Sequence, residues 1–480
     1  MKEADIMKSR SKSKNSANKV KKELGIITFF KWLANDLKEI GTTFTEGSTL
    51  SKLSFFLMGI GPICRGVILR GIAFLAIEAV YLYYMISFGA QYIADMFTLG
   101  TVETYNDKAT FTKIYGDNSF LILLYGVLTI FVTVLFIFVW RLNVRENREE
   151  DIAKAKGAKL PTIADDIRNL VDKNFDKTLL ALPVTGVLIF TVVPIVFMIC
   201  VAFTNYDYNH QPPENLFDWV GFSNFVNLFS TSETGFGTTF MKVLGWTMIW
   251  AFFATFLTYF GGMGLAILIN KKGVKFKKLW RTILVMTIAI PQFVSLLYVS
   301  KMFNNDGIVN GFLMDLNIIA EPIKFWDNKD IARVTIILIN CWIGMPYTML
   351  ICTGLLMNIP ADLYESARID GANAFQMFTK ITLPYMLFVT GPYLLTSFTG
   401  NLNNFNVIFL LSGGGPTSLQ LAGSAGYTDL LVTWLYKMTV NKTYYKMASV
   451  IGIMVFIVTA VISLGVYNLL PSVKDEEGFQ

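Results

Sequence analysis

Residues 243–269 read VLGWTMIWAFFATFLTYFGGMGLAILI, with no Asp, Glu, Lys or Arg among them. An α-helix rises 1.5 Å per residue, so about 20 apolar residues cross a bilayer core. A membrane strand needs only about 10 and alternates in polarity. This run is too long for a strand and does not alternate, so it predicts a membrane-spanning helix. Working outward, the segments 69–92, 119–140, 179–203, 280–303, 333–357, 385–411 and 446–470 meet the same criterion. The expected fold is an all-α polytopic membrane protein with eight transmembrane helices. Composition agrees, since 53% of the 480 residues are hydrophobic and only 16% are charged. Soluble domains carry about a quarter.

Charge sets the orientation. Lys and Arg crowd the first 66 residues (Lys8, Arg10, Lys12, Lys14), segment 141–178 (Arg141, Arg145, Arg148) and NKKGVKFKK at 270–278. Segment 204–241 has none. Short basic connections stay in the cytoplasm. With eight spans all three basic segments fall on one side, so both termini are expected there. Residues 1–66 read as a basic tail followed by a helix that either lies at the interface or packs on the spans. No cleavable signal peptide is expected.

Several functions are excluded. The net charge of +6 sits beside apolar spans, so no nucleic-acid partner is expected. Cys64, Cys200, Cys341 and Cys352 lie in apolar sequence without ligand spacing and are expected to be packed thiols. His210 is the one histidine, which leaves no histidine-based metal or catalytic centre. No GxxxxGK[ST], GxSxG or HExxH motif is present. The chain is therefore expected to have no catalytic residue, metal or cofactor, and any ATP and Mg would sit on another polypeptide. Of the intramembrane charges, Glu78 stands alone, while Arg70 and Arg281 lie near span ends, where snorkelling is expected.

One polar interruption stands out: ESARIDGANAFQMFTKITLP, Glu365–Pro384, on the basic side. Asp362 and Glu365 have D-x-x-E capping-box spacing, predicting a helix over 363–370. Asp370-Gly371 predicts a turn with positive φ at the glycine. A second helix over 373–382 would place Phe375 and Phe378 on one face and stop at Pro384. Two short helices with an apolar edge suit docking into a groove on another protein.

This stretch resembles the EAA loop of ATP-binding-cassette (ABC) importer permeases, with Ser366 where alanine is usual. The resemblance implies that Glu365, Ser366, Ala367, Asp370 and Gly371 form the coupling helix that seats in an ATPase subunit. VAFTNYD at 201–207, WVGFSNFVNLF at 219–229, LLSGGGP at 410–416 and AGYTDLLVTWLYKM at 425–438 are similar to the larger, eight-span permease of maltose-type importers. The enteric members carry a large insert between the third and fourth spans. Here that gap is only 204–242, so the form resembles permeases of Gram-positive oligosaccharide importers.

The seventh span carries TSFTGNLNNFN at 396–406. Ser397, Asn401 and Asn404 have the spacing of one helical face. Amides in a bilayer face the bundle interior or a watery cavity, and they match sugar hydroxyls. Interhelical hydrogen bonding is the other reading. The resemblance implies that Ser397, Gly400, Asn401 and Asn404, with Ile343, Gly344 and Tyr347 of WIGMPY, line the substrate pocket. Gly400 replaces an enteric Phe and removes a wall. Pro291-Gln292 and Gly391-Pro392 are expected to kink their helices, and Gly413–Pro416 to form an outer turn or re-entrant loop.

The expected organisation is 1–66 as cytoplasmic tail, 67–178 as two additional spans with a linker, and 179–480 as a six-helix permease core with coupling loop 361–384. The resemblance implies a permease subunit, not an enzyme, in a bacterial plasma membrane. It would import a maltodextrin-like or galacto-oligosaccharide. Its partners would be a second homologous permease, two copies of a cytoplasmic ATPase subunit, an extracellular sugar-binding protein and membrane lipid. The alternative is an ion-coupled sugar carrier without an ATPase. It needs buried titratable residues, and the spans lack a chain of them.

Overall fold

The computed structural model describes residues 25–107, 111–229, 235–271 and 273–469. The expected tail at 1–24 lies outside the described residues. Among the described residues seven helices are long and apolar enough to cross a membrane: Ile68–Asp95, Ser119–Ala155, Phe175–Val201, Phe236–Asn270, Lys329–Leu356, Ala374–Leu402 and Tyr445–Asn468. Lys277–Ala289 and Gln292–Met302 pass the same test as a pair, bent by 93°.

The bend falls at Pro291-Gln292, where a kink in the span 280–303 is expected, and breaks the span into two helices. The residue before a proline is pushed out of the α region. Ile290 accordingly sits at φ −86°, ψ 129°, and Pro291 at ψ 127°, so two consecutive residues are extended. At Pro392 the expected kink does not interrupt the helix, which runs from Leu383 to Leu402 with the proline inside it.

The chain forms two compact units, 1–102 with 116–197 and 103–115 with 198–480. In the first, helix Gly25–Glu46 packs on the second long helix: Asp36 pairs with Arg141, and Arg148 donates to Thr42 and to the Glu39 carbonyl. The segment 49–66 is fastened by Arg65, whose side chain is 1% exposed. Its guanidinium meets Glu150 at 3.0 Å and Asp151 at 2.6 Å, and also donates to Asn147 and Ser51. Glu78, the isolated acid of the first span, is 6% exposed and accepts from the Met58 N–H at 2.6 Å. Arg70 does not snorkel freely; it pairs with Asp166 at 2.5 Å and Glu146 at 3.5 Å. The four cysteines are free, and Cys64 is exposed rather than packed.

In the second unit the helices Phe236–Asn270 and Lys329–Leu356 cross at backbone distance. Lipid gives no hydrophobic drive between helices, so close packing of small residues and hydrogen bonds hold them. A Cβ on Gly262 would lie 2.0 Å from Thr348 Oγ1, and one on Gly344 2.7 Å from Thr258 Cγ2. Thr348 Oγ1 donates to the Thr258 carbonyl at 3.0 Å. A core of Trp246, Trp250, Ile336, Leu402, Val407 and Leu411 fills the adjoining space.

The stretch after the helix Phe405–Leu411 is folded against this core. Gly413 and Gly414 take φ of 58° and 81°. A Cβ on Gly414 would lie 1.9 Å from Asp429 Oδ1. The Asp429 side chain is fully buried; it accepts from Lys437 Nζ and the Gly426 N–H, both at 2.7 Å, and from Thr433 at 2.9 Å. Burial raises its carboxyl above the usual range, against the pull of Lys437.

Candidate functional site

The polar interruption forms an exposed helix–turn–helix. Its first helix is Ala361–Ile369, starting two residues earlier than expected. The expected capping box at Asp362 does not form: Pro360 is the N-cap, and Asp362 lies inside the first turn, where it complements the helix dipole. Gly371 takes φ +80°. Its N–H bonds to the Arg368 carbonyl and that of Ala372 to the Ala367 carbonyl, at 3.0 and 2.8 Å, a Schellman stop. The capping box appears instead at Asn373, whose side chain accepts from Gln376 N while the Gln376 side chain accepts from Asn373 N.

Pro384 does not end the second helix, contrary to the sequence expectation. Residues Phe378–Thr382 form one π-turn, and Ala374–Leu402 is a single membrane-length helix. A proline lacks the N–H for a regular i→i−4 bond, and the wider turn just ahead of it absorbs the mismatch. Phe375 is 74% exposed, whereas Phe378 packs into the core with Tyr259 and Met386. The two rings do not form one exposed edge. Tyr364 and Thr382 join the limbs through their hydroxyls at 2.8 Å. Glu365, Ser366, Asp370 and Gly371 are exposed and Ala367 is half-buried. Glu365, Arg368 and Asp370 make no ion pair among the described residues.

The second candidate group gathers near the other end of the same helix. The helix stops at Leu402, with Asn403 at φ −109°, ψ 25°, and a new helix Phe405–Leu411 begins. Asn404 is the N-cap of that second helix; its Oδ1 accepts from the Val407 N–H at 3.4 Å. The expected continuous face of Ser397, Asn401 and Asn404 is therefore broken, because an asparagine that caps a helix ends the one before it. The amides still meet: Asn404 Nδ2 donates to Asn401 Oδ1 at 3.2 Å. Asn401 Nδ2 donates across to Thr255 Oγ1 at 3.0 Å, and Trp250 Nε1 to the Asn401 carbonyl at 3.1 Å. Each amide nitrogen carries two N–H groups, so one remains on each.

Ser397 lies one helical turn from Tyr393, which packs against the core of Tyr259, Met349 and Met386. Tyr347 is 53% exposed, and Ile343 packs with Phe398 around the Trp250 core. A Cβ on Gly400 would meet nothing within 4 Å, which agrees with open space beside the amides. Gly344 instead sits at the helix crossing, against Thr258. Sequence reasoning passed over Trp250, Thr255 and Tyr393. Isolated polar atoms at 250 and 255, in a span with no charge, were the available signal. Among the described residues no cluster of metal-ligating side chains occurs.

These features define a polytopic permease-type membrane protein, with an exposed helix–turn–helix at one end of the helix Ala374–Leu402 and an uncharged polar cluster near the other. Residues 259–475 match the family model described as binding-protein-dependent transport system inner membrane component. The chain is 34% identical to the maltodextrin transport system permease protein MdxF of Bacillus subtilis over 444 residues, 91% of this chain and 98% of that one. It is 34% identical to the galactooligosaccharides transport system permease protein GanP of the same organism, over 89% of this chain and 99% of that one. A solved bacterial alginate ABC transporter, in complex with an alginate pentasaccharide-bound periplasmic protein, matches in fold. The TM-score is 0.52 at 23% identity, covering 64% of this chain and 97% of the matched one. The chain belongs to the family of ABC importer permease subunits, a multi-pass transport component.

Proposed function

We propose that this chain is the larger membrane subunit of an ATP-driven importer that carries an uncharged oligosaccharide, of the maltodextrin or galacto-oligosaccharide class, into a bacterial cell. One observation carries the reading. The second limb of the exposed loop and Asn401 of the amide cluster lie on one continuous helix, Ala374–Leu402. From Ala374 to Asn401 that helix spans about 40 Å. A push at the loop thus reaches the cluster through a single rigid element. Thr255, Tyr347, Tyr393, Ser397, Asn401 and Asn404 offer hydroxyls and amides without charge, the donors and acceptors that sugar hydroxyls need. The substrates in the names of MdxF and GanP favour the same class.

The remaining parts belong to the proposal. A second permease completes the path, and two ATPase copies bind ATP and Mg and seat Glu365, Ser366, Ala367, Asp370 and Gly371. An extracellular protein delivers the sugar, in line with the periplasmic protein bound to the alginate transporter. The basic segments and both termini face the cytoplasm. No observation favours a carrier working without an ATPase. The test is the assembled complex in proteoliposomes with a panel of neutral glycans. ATP hydrolysis should rise with a cognate glycan and its binding protein, and Glu365→Lys should abolish the rise. An Glu365→Lys complex that assembles and still couples overturns the loop assignment.

A further inference from the structure

We propose that the first unit carries a phospholipid site: helix Ile163–Val171 lies in the bilayer interface, and the cavity beside it seats a lipid headgroup. The helix links the second and third spans. Ile163, Ile167, Leu170 and Val171 follow i, i+4, i+7, i+8 and share one face. All four are 47–69% exposed, so no described part of the chain covers that face. Its opposite side is pinned. Asp166 is 6% exposed and bonds Arg70, two residues into the first span, which sets the helix at the membrane boundary. The apolar face continues into exposed Phe175, Leu179, Leu180 and Leu182 at the start of the third span. The occupant of a face joined to the lipid-facing belt at that depth is the bilayer itself.

A cavity of about 660 Å³ adjoins the helix, with Leu69, Leu142 and Leu170 on its apolar wall and a mixed polar wall on which Glu146, Glu149 and Asp166 stand beside Arg70, Arg145, Lys173 and Lys177, Arg145 being paired with Glu149. Arg70 is occupied by Glu146 and Asp166. Among the described residues Lys173 has no ion pair, and Lys177 Nζ makes no polar contact beyond its hydrogen bond to Asn174 Oδ1. Asp166 Oδ2 is buried without a hydrogen-bond partner, an arrangement that costs stability unless something donates to it. Two unspent ammonium groups and one orphaned carboxylate oxygen, above an apolar wall, fit a headgroup whose phosphate meets the lysines and whose hydroxyl or ammonium donates to Asp166. A soluble phosphate would leave the apolar wall and the orphaned oxygen unmet.

The test uses the full complex in nanodiscs of phosphatidylethanolamine and phosphatidylglycerol. In a Cys64→Ser background, bimane on Ile167→Cys should be quenched several-fold more by doxyl-labelled lipid than bimane on Arg168→Cys, and less by aqueous iodide. Native mass spectrometry should show one more retained phosphatidylglycerol on wild type than on Lys173→Gln/Lys177→Gln, unaffected by excess inorganic phosphate. Iodide access at position 167, or protection from both quenchers by a protein partner, overturns the interfacial placement. Equal lipid counts, or displacement by phosphate, overturn the headgroup site.

Discussion

Tyr364 Oη and Thr382 Oγ1 lie 2.8 Å apart and tie the two limbs of the exposed loop across the Gly371 turn. The contact joins the short helix Ala361–Ile369 to the foot of the long one. Tyr364→Phe removes a hydrogen bond of about 1 kcal/mol and leaves the ring. The expected outcome is faster amide exchange over 361–382 in the assembled complex, with exchange over 329–356 unchanged. Unaltered exchange in the loop shows that the limbs are held by other means.

Two glycines of the second unit should respond in opposite ways. Gly414→Ala drives a Cβ to 1.9 Å from Asp429 Oδ1 at φ +81°, so it should destabilise by at least ~1–3 kcal/mol. Gly400→Ala adds a methyl to open space in a helix and should be neutral or stabilising by up to ~1 kcal/mol. Thermal unfolding of the purified complex reads both, and equal midpoints contradict the packing around Asp429.

The Asn401–Thr255 bond orients the amide cluster. Thr255→Val leaves the fold's volume intact but frees the amide. If the cluster holds sugar, Thr255→Val should weaken half-saturating transport about tenfold, the equivalent of ~1.4 kcal/mol. Asn401→Ala should do the same or more. Transport kinetics unmoved by either variant would place the sugar elsewhere.

Asp207 supplies a pH dependence. Burial opposes its charge, but Lys446 Nζ at 2.6 Å, His210 Nδ1 at 2.8 Å and the Asn209 N–H together hold the carboxyl below its ordinary value. A carboxyl depressed by folding stabilises the native state above its unfolded pKa, ordinarily about 3.9, and loses that contribution as pH falls through the lower folded value. Unfolding temperature should fall below about pH 4, and less steeply in Asp207→Asn. An identical acid limb in the variant denies Asp207 that role.

Hydropathy made the spans and the polar interruption between them legible, because both depend on composition over about 20 residues. Where a helix stops inside apolar sequence depends on single residues. Asn404 reads equally well as a helical-face amide or as a cap, and the hydrogen bond to Val407 N decides it. Pro384 reads as a stop, and only the π-turn before it lets the helix continue. Asp362 has the right spacing for a cap but sits past Pro360, which takes the position first. Gly344 is expected in the site from the resemblance of WIGMPY, and sequence alone does not show that its missing side chain also serves the crossing with Thr258.

That crossing has a mechanical consequence. With glycine backbones locked against Thr258 and Thr348, the helices Phe236–Asn270 and Lys329–Leu356 have no room to slide or roll past one another. They act as a strut, and any change of shape during a transport cycle must be taken up where the backbone ladder is already interrupted. Within this unit such interruptions include the break at Ile290–Pro291 and the gap between Leu402 and Phe405.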